Sequence, residues 1–469
     1  MSPFTTSDVA SQLHNETLIA QVGCERHLRY FTAIYDKKSF LPPSNGGLPM
    51  APIRFFILAA SMVCSCLACA QQLPASVGVA TWNMAWLMGR TTFDDWVSFC
   101  AAHDWQPADD IVPTKPLPFC DVHSGKVFPL SPCQREHPNE PERCQESKEL
   151  HTWFAYSEKI TVLSQAAQAL EAEGIDVVFL QEVYDRAAVR LVFPENAGWK
   201  IITTAELPDP IPIAQQVGVA YRGAAQLVGA PKLISTLATA VDGHRVRPGL
   251  EVTFALGADE IDFLVVHLKA GCRNDLIDAP DPKQRPNEPN DEFAERKAAK
   301  LRDCKAFRSQ VPALEDWIDS KVAHNRFFAL VGDFNRTLLL DGFNPDRARL
   351  DGGDSKDPKA PITDDTKIAH LTPEISDNEP AGATLDIARA NYDPLPAVEK
   401  CKKSVQGIDH FAISKALAAR LHVQIGKLNA TVLGYGVDNY APDKALPSDH
   451  CPHFLKLESK RTTEPHRIL

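Results

Sequence analysis

Polar side chains stand at the ends of several short apolar segments of this sequence, where a strand would give way to a loop. The members of this set are Asn83, Glu182, His267, Asp333, Asn335 and Asp409, followed by Ser448, Asp449 and His450 in one loop. Strands supply rigid positions, and their ends present side chains to solvent. The set is therefore a candidate catalytic site.

These residue types suit the hydrolysis of a phosphate ester. The reaction needs a water in line with phosphorus, neutralisation of developing negative charge and a stabilised leaving oxygen. A carboxylate such as Glu182 can hold Mg²⁺, a hard cation that prefers oxygen ligands. His450 can transfer protons near neutral pH if a carboxylate orients its ring. The amides of Asn83 and Asn335 can hold phosphate oxygens or water.

Each of these residues, taken alone, also fits a structural role. An asparagine at a strand end is commonly a turn or cap residue, and Asp333 fits an Asx turn. Glu182 fits a surface or helix-start carboxylate, and His267 fits a satisfied core histidine. The case for a site comes from their occurrence together and in this order.

The elements that must position these residues alternate between strand-like and helix-like patterns. The predicted strands are 77–82, 176–180, 216–221, 261–267, 327–331, 407–414 and 453–457, and the predicted helices are 154–173 and most of 291–322, perturbed by Pro312. Three stretches, 90–150, 273–291 and 341–400, are rich in proline, cysteine or acidic residues and are expected to be insertions.

Residues 50–70 have the composition of a secretory signal peptide. Arg54 precedes the apolar run 55–69, and Ala68-Cys69-Ala70 forms a small-residue cleavage site. We expect cleavage there and a secreted or periplasmic protein. A short membrane anchor, a buried helix and a lipid-anchored form are the alternatives.

This interpretation fixes the domain organisation. Residues 1–49 are expected to be a mis-called or disordered extension, and residues 71–469 to form a single domain without a transmembrane segment. We predict a monomer, and nothing in the sequence implies a stable protein partner.

Eight cysteines follow residue 70, and an even number in an exported chain indicates disulfides. We predict a bridge from Cys272, which closes a strand-end loop, to Cys304 on the helix that must pack back on the sheet. The insertion with Cys120, Cys133 and Cys144 is expected to hold at least one bridge.

Six segments resemble, in order, the motifs of the endonuclease/exonuclease/phosphatase superfamily. They are TWNMAWL (81–87), LQEV (180–183), VVHLKAGC (265–272), VGDFN (331–335), GIDHFAIS (407–414) and PSDHCPHF (447–454). The resemblance implies an α/β fold, a four-layer αββα sandwich of two packed mixed sheets with helices outside.

The resemblance also implies a cation site. Glu182 resembles the metal-binding glutamate, Asn83 lies beside the metal and the substrate phosphate, and Asp449 resembles an acidic residue near the metal. The implied cofactor is Mg²⁺ or Mn²⁺.

The other motif residues resemble catalytic groups. Asp333 and Asn335 resemble the pair that positions the nucleophile and phosphate, and His450 resembles the catalytic histidine with Asp409 as its orienting carboxylate. His267 resembles a second histidine that protonates the leaving group or holds phosphate. Abasic-site endonucleases usually carry tyrosine at the His267 position and an acidic residue where Ala85 stands, so repair of abasic sites is disfavoured.

We predict a metal-dependent nuclease that hydrolyses DNA or RNA. The alternatives are a phosphodiesterase or phosphatase acting on lipid headgroups or small esters, and a catalytically silent binding module. The insertions are polar rather than apolar, which disfavours a lipid surface. The formal net charge of -11 opposes a nucleic acid. Lys269, as a substrate-binding residue, and Arg273 would have to offset that charge.

Overall fold

The described part of the chain consists of several separate ranges. The computed structural model describes residues 76–103, 116–118, 120, 152–223, 225–241, 244–273, 276–278, 280, 282–339, 341, 370–391, 407–421, 429–432, 448 and 450–458. The predicted extension, the signal peptide, Asp449 and most of the insertions 90–150 and 341–400 lie outside these residues.

Two mixed β-sheets form the centre of the fold. In spatial order the first contains β12 (Arg389–Asn391), β14 (Asn429–Val432), β15 (His453–Glu458), β1 (Ser76–Leu87), β2 (Ile175–Val183), β4 (Gln216–Tyr221) and β3 (Lys200–Thr203). The second contains β11 (Leu385–Ile387), β13 (Asp409–Ser414), β10 (Phe327–Asp333), β9 (Asp259–His267), β8 (Gly249–Leu256) and β5 (Gln226–Ile234). A short ribbon pairs β6 (Ala240–Val241) with β7 (His244–Arg245).

Helices connect and cover these sheets. They are α1 (Arg90–Ala101), α2 (Trp153–Ala172), α3 (Arg186–Val189), α4 (Asn290–Arg308), α5 (Val311–Ala323), α6 (Leu371–Ile375) and α7 (Lys415–Arg420). Single 3₁₀ turns occupy Glu195–Ala197, Thr204–Glu206 and Ser235–Leu237. No helix in the described ranges is long and apolar enough to cross a membrane.

The helical segment predicted over 291–322 is two helices rather than one. α4 ends before Ser309 and α5 begins at Val311, with Pro312 in its first turn. A proline is tolerated in the first turn, where its missing N–H has no intrahelical acceptor. The chain therefore breaks just before the proline.

Apolar packing on both faces of each sheet creates the layers. Between the sheets, Phe179 of β2 packs against Phe263 of β9 with ring centroids 4.8 Å apart. The outer face of the first sheet buries Trp82 against α1 and α2, and the outer face of the second buries Leu330 and Leu264 against α4 and α5. Strands buried on both faces read as continuous apolar runs. The predicted four-layer αββα sandwich is confirmed.

Two strands approach closely just before the candidate site. β9 and β10 are parallel neighbours, and Gly332 of β10 has φ 140°. A Cβ atom at this position would lie 2.0 Å from the carbonyl oxygen of Val266. Only glycine lets the strands run side by side here, and the next residue, Asp333, is brought beside His267.

Disulfides join loops to helices in the described structure. Cys272 is bonded to Cys304 of α4, with a Cα–Cα distance of 4.8 Å, and this predicted bridge is confirmed. The insertion 90–150 holds the bridge Cys100–Cys120, as its cysteine content indicated. A native bridge of this kind stabilises a fold by about 2–4 kcal/mol.

Candidate active site

Three predicted site residues lie in one row across the second sheet. The parallel register of β9 and β10 pairs His267 with Asp333, and the antiparallel register of β10 and β13 pairs Asp333 with Asp409. All three side chains are buried. The order and spacing of these three residues therefore follow from strand pairing alone.

The first sheet supplies an amide and a carboxylate that meet this row. Asn83 of β1 and Glu182 of β2 stand at the ends of adjacent parallel strands. Asn83 Nδ2 donates to Glu182 Oε1 at 3.2 Å and to Asp333 Oδ2 at 3.1 Å. One amide thus bridges carboxylates from both sheets.

The orientation of the Asn83 amide follows from its own loop. Asn83 Oδ1 accepts a hydrogen bond of 2.9 Å from the backbone N–H of Ala85. An acceptor held by a backbone donor identifies the oxygen, so the NH₂ group must face the carboxylates. In this arrangement Asn83 offers donors, rather than its oxygen, to the centre of the site.

The loop before β15 places His450 on the other side of the row. Ser448 Oγ donates to the Asn83 carbonyl at 2.8 Å and accepts from the His450 N–H at 3.1 Å. His450 Nδ1 lies 2.8 and 3.0 Å from the two oxygens of Asp409. The structure brings the predicted histidine–aspartate pair together.

The charge of Asp409 is maintained by its histidine neighbours. Burial has the largest single effect and would raise the pKa of this carboxyl, whereas the charge and the hydrogen bond of His450 lower it. The imidazoles of His453 and His410 act in the same direction, and the pKa lies below its usual value. Asp409 can therefore accept a hydrogen bond from the Nδ1–H of His450.

Asp333 is the carboxylate at the centre of the site. Its Oδ2 lies 3.7 Å from Nε2 of both His267 and His450. Burial raises the pKa of Asp333 to about 7; the negative charges of Asp409 and Glu182 add to this, whereas the His450 charge opposes it.

Asn335 completes a tight turn after β10. Its backbone N–H donates to Asp333 Oδ1 at 2.7 Å, and its Nδ2 donates to the Leu268 carbonyl at 2.9 Å. The Asx turn that Asp333 suggested is therefore present, in the same residue that faces the histidines. The structural interpretation of Asp333 is therefore confirmed, and its catalytic role stays a prediction.

His267 is held as a neutral imidazole. Burial lowers its pKa well below the usual value, and the nearby charges of Arg247, His450 and Lys269 lower it further. Its Nε2 lies 3.6 Å from Glu182 Oε1, while its Nδ1 has no hydrogen-bond partner among the described residues.

These oxygens fit a hard divalent cation. Glu182 and Asp333 direct carboxylates toward a shared amide, and the repulsion among buried acids is what a cation would relieve. Asp333, Asp409 and His450 also bring one ligand atom each within 4.8 Å of one another. In that group His450 Nδ1 is bonded to Asp409, and Nε2 is the ring atom that lies near Asp333.

Arg247 is a site residue that the motifs did not identify. Its Nη1 reaches the Leu268 carbonyl at 3.5 Å, the same oxygen that accepts from Asn335, and its Nη2 donates to Gln215. Burial lowers the pKa of this guanidinium, and the charges of Glu182 and Asp333 oppose that effect. The sequence signal that could have identified Arg247 is its position just before β8, the strand that pairs with β9.

The predicted substrate-binding Lys269 lies beside the site, where its charge acts on His267. Its ammonium pairs with Asp303 of α4 at 2.6 Å and donates to the Ala270 carbonyl at 2.9 Å. Arg273 is half-buried, and burial lowers its pKa against the opposing charge of Asp333. Asp449 lies outside the described residues, so its role stays a prediction.

Comparisons with known proteins add the following findings. No family model matches the chain, and no curated protein matches it. Truncated Caenorhabditis elegans TDP2 matches at 12% identity over 82% of this chain and 100% of that one, with a TM-score of 0.37. An endonuclease/exonuclease/phosphatase from Bacteroides vulgatus matches at 12% over 82% and 99%, with a TM-score of 0.40. The human Nocturnin catalytic domain with bound sulfate matches at 12% over 83% and 96%, with a TM-score of 0.33.

Proposed function

We infer that this chain, whose fold and ordered motifs are those of the endonuclease/exonuclease/phosphatase superfamily, is a divalent-metal-dependent phosphoesterase, and specifically a nuclease. The observation that carries this inference is the surroundings of Asp333 Oδ2. That oxygen lies 3.7 Å from the Nε2 atoms of His267 and His450 and 3.1 Å from Asn83 Nδ2.

The negative charge of the clustered carboxylates supports the proposal of a bound cation. We propose that Glu182 and Asp333 hold Mg²⁺ or Mn²⁺, with Asp449 as a further candidate ligand. A bound divalent cation would neutralise charge on the phosphoryl oxygens as the bond to phosphorus forms. All other steps can be assigned to side chains.

Proton transfer falls to the central row. A water between Asp333 and His450 would give its proton to Asp333 Oδ2, the carboxylate oxygen that lies 3.7 Å from His450 Nε2. His450, with its Nδ1–H directed at Asp409, would donate from Nε2–H to a phosphoryl oxygen when both ring nitrogens carry a proton.

Two further groups suit the phosphate and the leaving oxygen. The neutral His267 lies on the Glu182 side of Asp333 and would donate to the leaving oxygen. Arg247 shares the Leu268 carbonyl with Asn335, and its guanidinium can bind phosphate oxygens through two donors. Arg247 would act beside Lys269, whose substrate-binding role stays a prediction.

A nucleic acid is favoured over a lipid by the surface. Among the described residues, the exposed large hydrophobic side chains are Phe154, Leu191 and Leu301, which belong to three different parts of the fold. An enzyme that approaches a bilayer normally presents a contiguous apolar patch. No such patch is present among the described residues, which disfavours a lipid substrate.

The test is a substrate screen of the purified protein with Mg²⁺ or Mn²⁺, and with excess chelator. We expect cleavage of plasmid DNA or RNA that falls steeply as salt rises, with the variant His450→Ala as the inactive control. Rapid hydrolysis of sphingomyelin without cleavage of DNA or RNA would overturn the substrate assignment. Full activity in chelator would remove the metal, and no hydrolysis of any phosphoester would overturn the function.

We also propose that the protein is exported. The bridges Cys100–Cys120 and Cys272–Cys304 support this, because disulfides persist in oxidising compartments. N-terminal sequencing of the exported protein should give a chain that begins near Gln71. A mature chain that retains residues 1–49 would contradict the proposal.

A further inference from the structure

The strand that carries Asn83 contains a bulge directly after it. Along β1 and β2, Asn83 pairs with Gln181, and the next pair is Leu87 with Val183. Four steps along β1 therefore match two along β2, so β1 holds two extra residues at the edge of the site. Bulges next to active sites commonly direct a side chain.

The bulge is held in an unfavourable backbone conformation. Ala85 has φ 47° and Trp86 has φ 61°, two consecutive residues with side chains in the left-handed region. Glu182, on the facing strand, has φ 55°. Residues other than glycine adopt this region at a cost, and they stay there only where surrounding contacts hold them.

Two side chains of α2 supply such contacts. The ammonium of Lys159 donates to the Ala85 carbonyl. The hydroxyl of Tyr156, one turn earlier, donates to the Trp86 carbonyl at 2.8 Å and accepts from the Met88 N–H at 2.7 Å. Both side chains are buried. Together they anchor successive peptides of the bulge to the helix.

The Ala85 residue joins this anchor to the site. Its carbonyl accepts from Lys159, and its N–H donates to Asn83 Oδ1 at 2.9 Å. The Asn83 amide then donates to Glu182 and Asp333. A continuous chain of hydrogen bonds therefore runs from a buried ammonium in the helix to both carboxylates.

We propose that Lys159 is a positioning residue of the active site: by holding the left-handed bulge, it aims the Asn83 amide at Glu182 and Asp333. This inference builds on the proposed phosphoesterase function. A lysine ammonium is strongly hydrated and costly to bury, and a solvated lysine would serve α2 equally well as a helix former. Its burial at this carbonyl indicates a role in the geometry of the bulge.

A second buried lysine provides a matched control. Lys321 of α5 pairs with Glu251 at 2.9 Å and with Asp262 at 3.1 Å. Asp262 lies near the start of β9, whereas His267 lies at its end. Loss of either ammonium removes a hydrogen bond from buried oxygen acceptors, but the route to Asn83 runs from Lys159, whereas Lys321 lies at the other end of β9.

The experiment compares Lys159→Met with Lys321→Met. Both variants are expected to lose thermal stability. Lys159→Met should lower kcat by between about 10- and 100-fold with little change in KM, because a small misplacement of reacting groups has an effect of this size. Lys321→Met should keep the kcat of the wild type. Tyr156→Phe, a smaller change on the same bulge, should lower kcat in the same direction if Lys159→Met does not fold.

A double-mutant cycle identifies the route of the effect. If Lys159 acts through Asn83, Lys159→Met should cost little further activity in an Asn83→Ala background. Mn²⁺ affinity, measured by calorimetry without substrate, should fall by about 10-fold in Lys159→Met, because the carboxylates lose their shared donor.

Two outcomes would overturn the inference. One is an equal change of kcat and Mn²⁺ affinity in Lys159→Met and Lys321→Met. The other is a loss of activity that multiplies fully with that of Asn83→Ala. A wild-type protein that hydrolyses no phosphoester would instead contradict the proposed function, and the Mn²⁺ affinities would still test the role of Lys159.

Discussion

The pairing of His450 with Asp409 can be tested by removing each partner alone and both together. His450 Nδ1 lies 2.8 and 3.0 Å from the two carboxylate oxygens, and both side chains are buried. Asp409→Asn keeps the size of the side chain but removes its charge. The new asparagine amide can accept a hydrogen bond from His450 through its oxygen. It can instead donate through its NH₂ group and impose the other tautomer of the histidine.

The size of the effect follows from the type of bond that is lost. A hydrogen bond to a charged group contributes about 1.5–3 kcal/mol, and each 1.36 kcal/mol corresponds to about a tenfold change in rate. We therefore expect Asp409→Asn to lower kcat by about 10- to 150-fold. His450→Ala should cost more, on the order of 10²–10⁴.

The cycle is measured with one small phosphodiester substrate at saturating Mg²⁺. The double variant should be within about threefold of His450→Ala alone, because the carboxylate has no catalytic role once the imidazole is gone. A matched control is Asp262→Asn, which removes a buried carboxylate bonded to Arg326 and Thr253 in the same sheet. That variant should lose stability and keep kcat.

Losses that multiply in the double variant would refute the reasoning, since they would mean that Asp409 acts independently of His450. A loss in Asp262→Asn as large as that in Asp409→Asn would also refute it. In that case the effect would come from unfolding of the sheet rather than from the ring of His450.

Further predictions concern the cation, a disulfide and a surface acid. Glu182→Gln should keep the fold, as judged by circular dichroism, and should abolish the stimulation of turnover by Mg²⁺. Replacement of Cys272 and Cys304 by serine should lower the free energy of unfolding in urea by about 2–4 kcal/mol. Burial and the charge of Asp377 raise the pKa of Glu315 from 4.5 to about 7, so stability present below pH 4.5 is lost as the pH rises through about 7. Glu315→Gln should therefore raise the free energy of unfolding at pH 8.5 by about 1 kcal/mol after screening. This should appear as a higher Tm at pH 8.5 and an unchanged Tm at pH 4.

The sequence was sufficient for the fold and for the central row because both depend on strand ends. His267, Asp333 and Asp409 each stand at the end of an apolar run, and runs of that length in an α/β chain become neighbouring buried strands. The ordered motifs then identified the four-layer arrangement. The Cys272–Cys304 bridge was predictable because a helix that follows a strand must pack back on its sheet.

Other site contacts depend on distances that no local pattern contains. Asn83 can bridge Glu182 and Asp333 because the two sheets pack face to face where these three residues lie. Lys269 pairs with Asp303, which comes from the next helix. Arg247 belongs to the site through the register of β8 against β9, which periodicity alone does not specify.

Residues of α2 were equally hidden. Lys159 stands in a helical segment where a charged residue is normally a solvated one, yet it is buried with its ammonium at the Ala85 carbonyl of the β1 bulge. A helical wheel records which face a residue occupies but not which carbonyl lies opposite it. Tertiary packing therefore decided the part of the site that the sequence could not reveal.

The row of His267, Asp333 and Asp409 also determines which kinds of genetic change this fold can tolerate. Side chains alternate between the faces of a strand, so deletion of one codon within β9, β10 or β13 turns the later residues of that strand to the opposite face. A deletion inside these strands would disable the row even where every catalytic residue type is retained. Loop segments between them, such as 273–291, can change in length without shifting the pairing. Across homologous genes, length variation should therefore concentrate in the loops while the strands keep a constant number of codons.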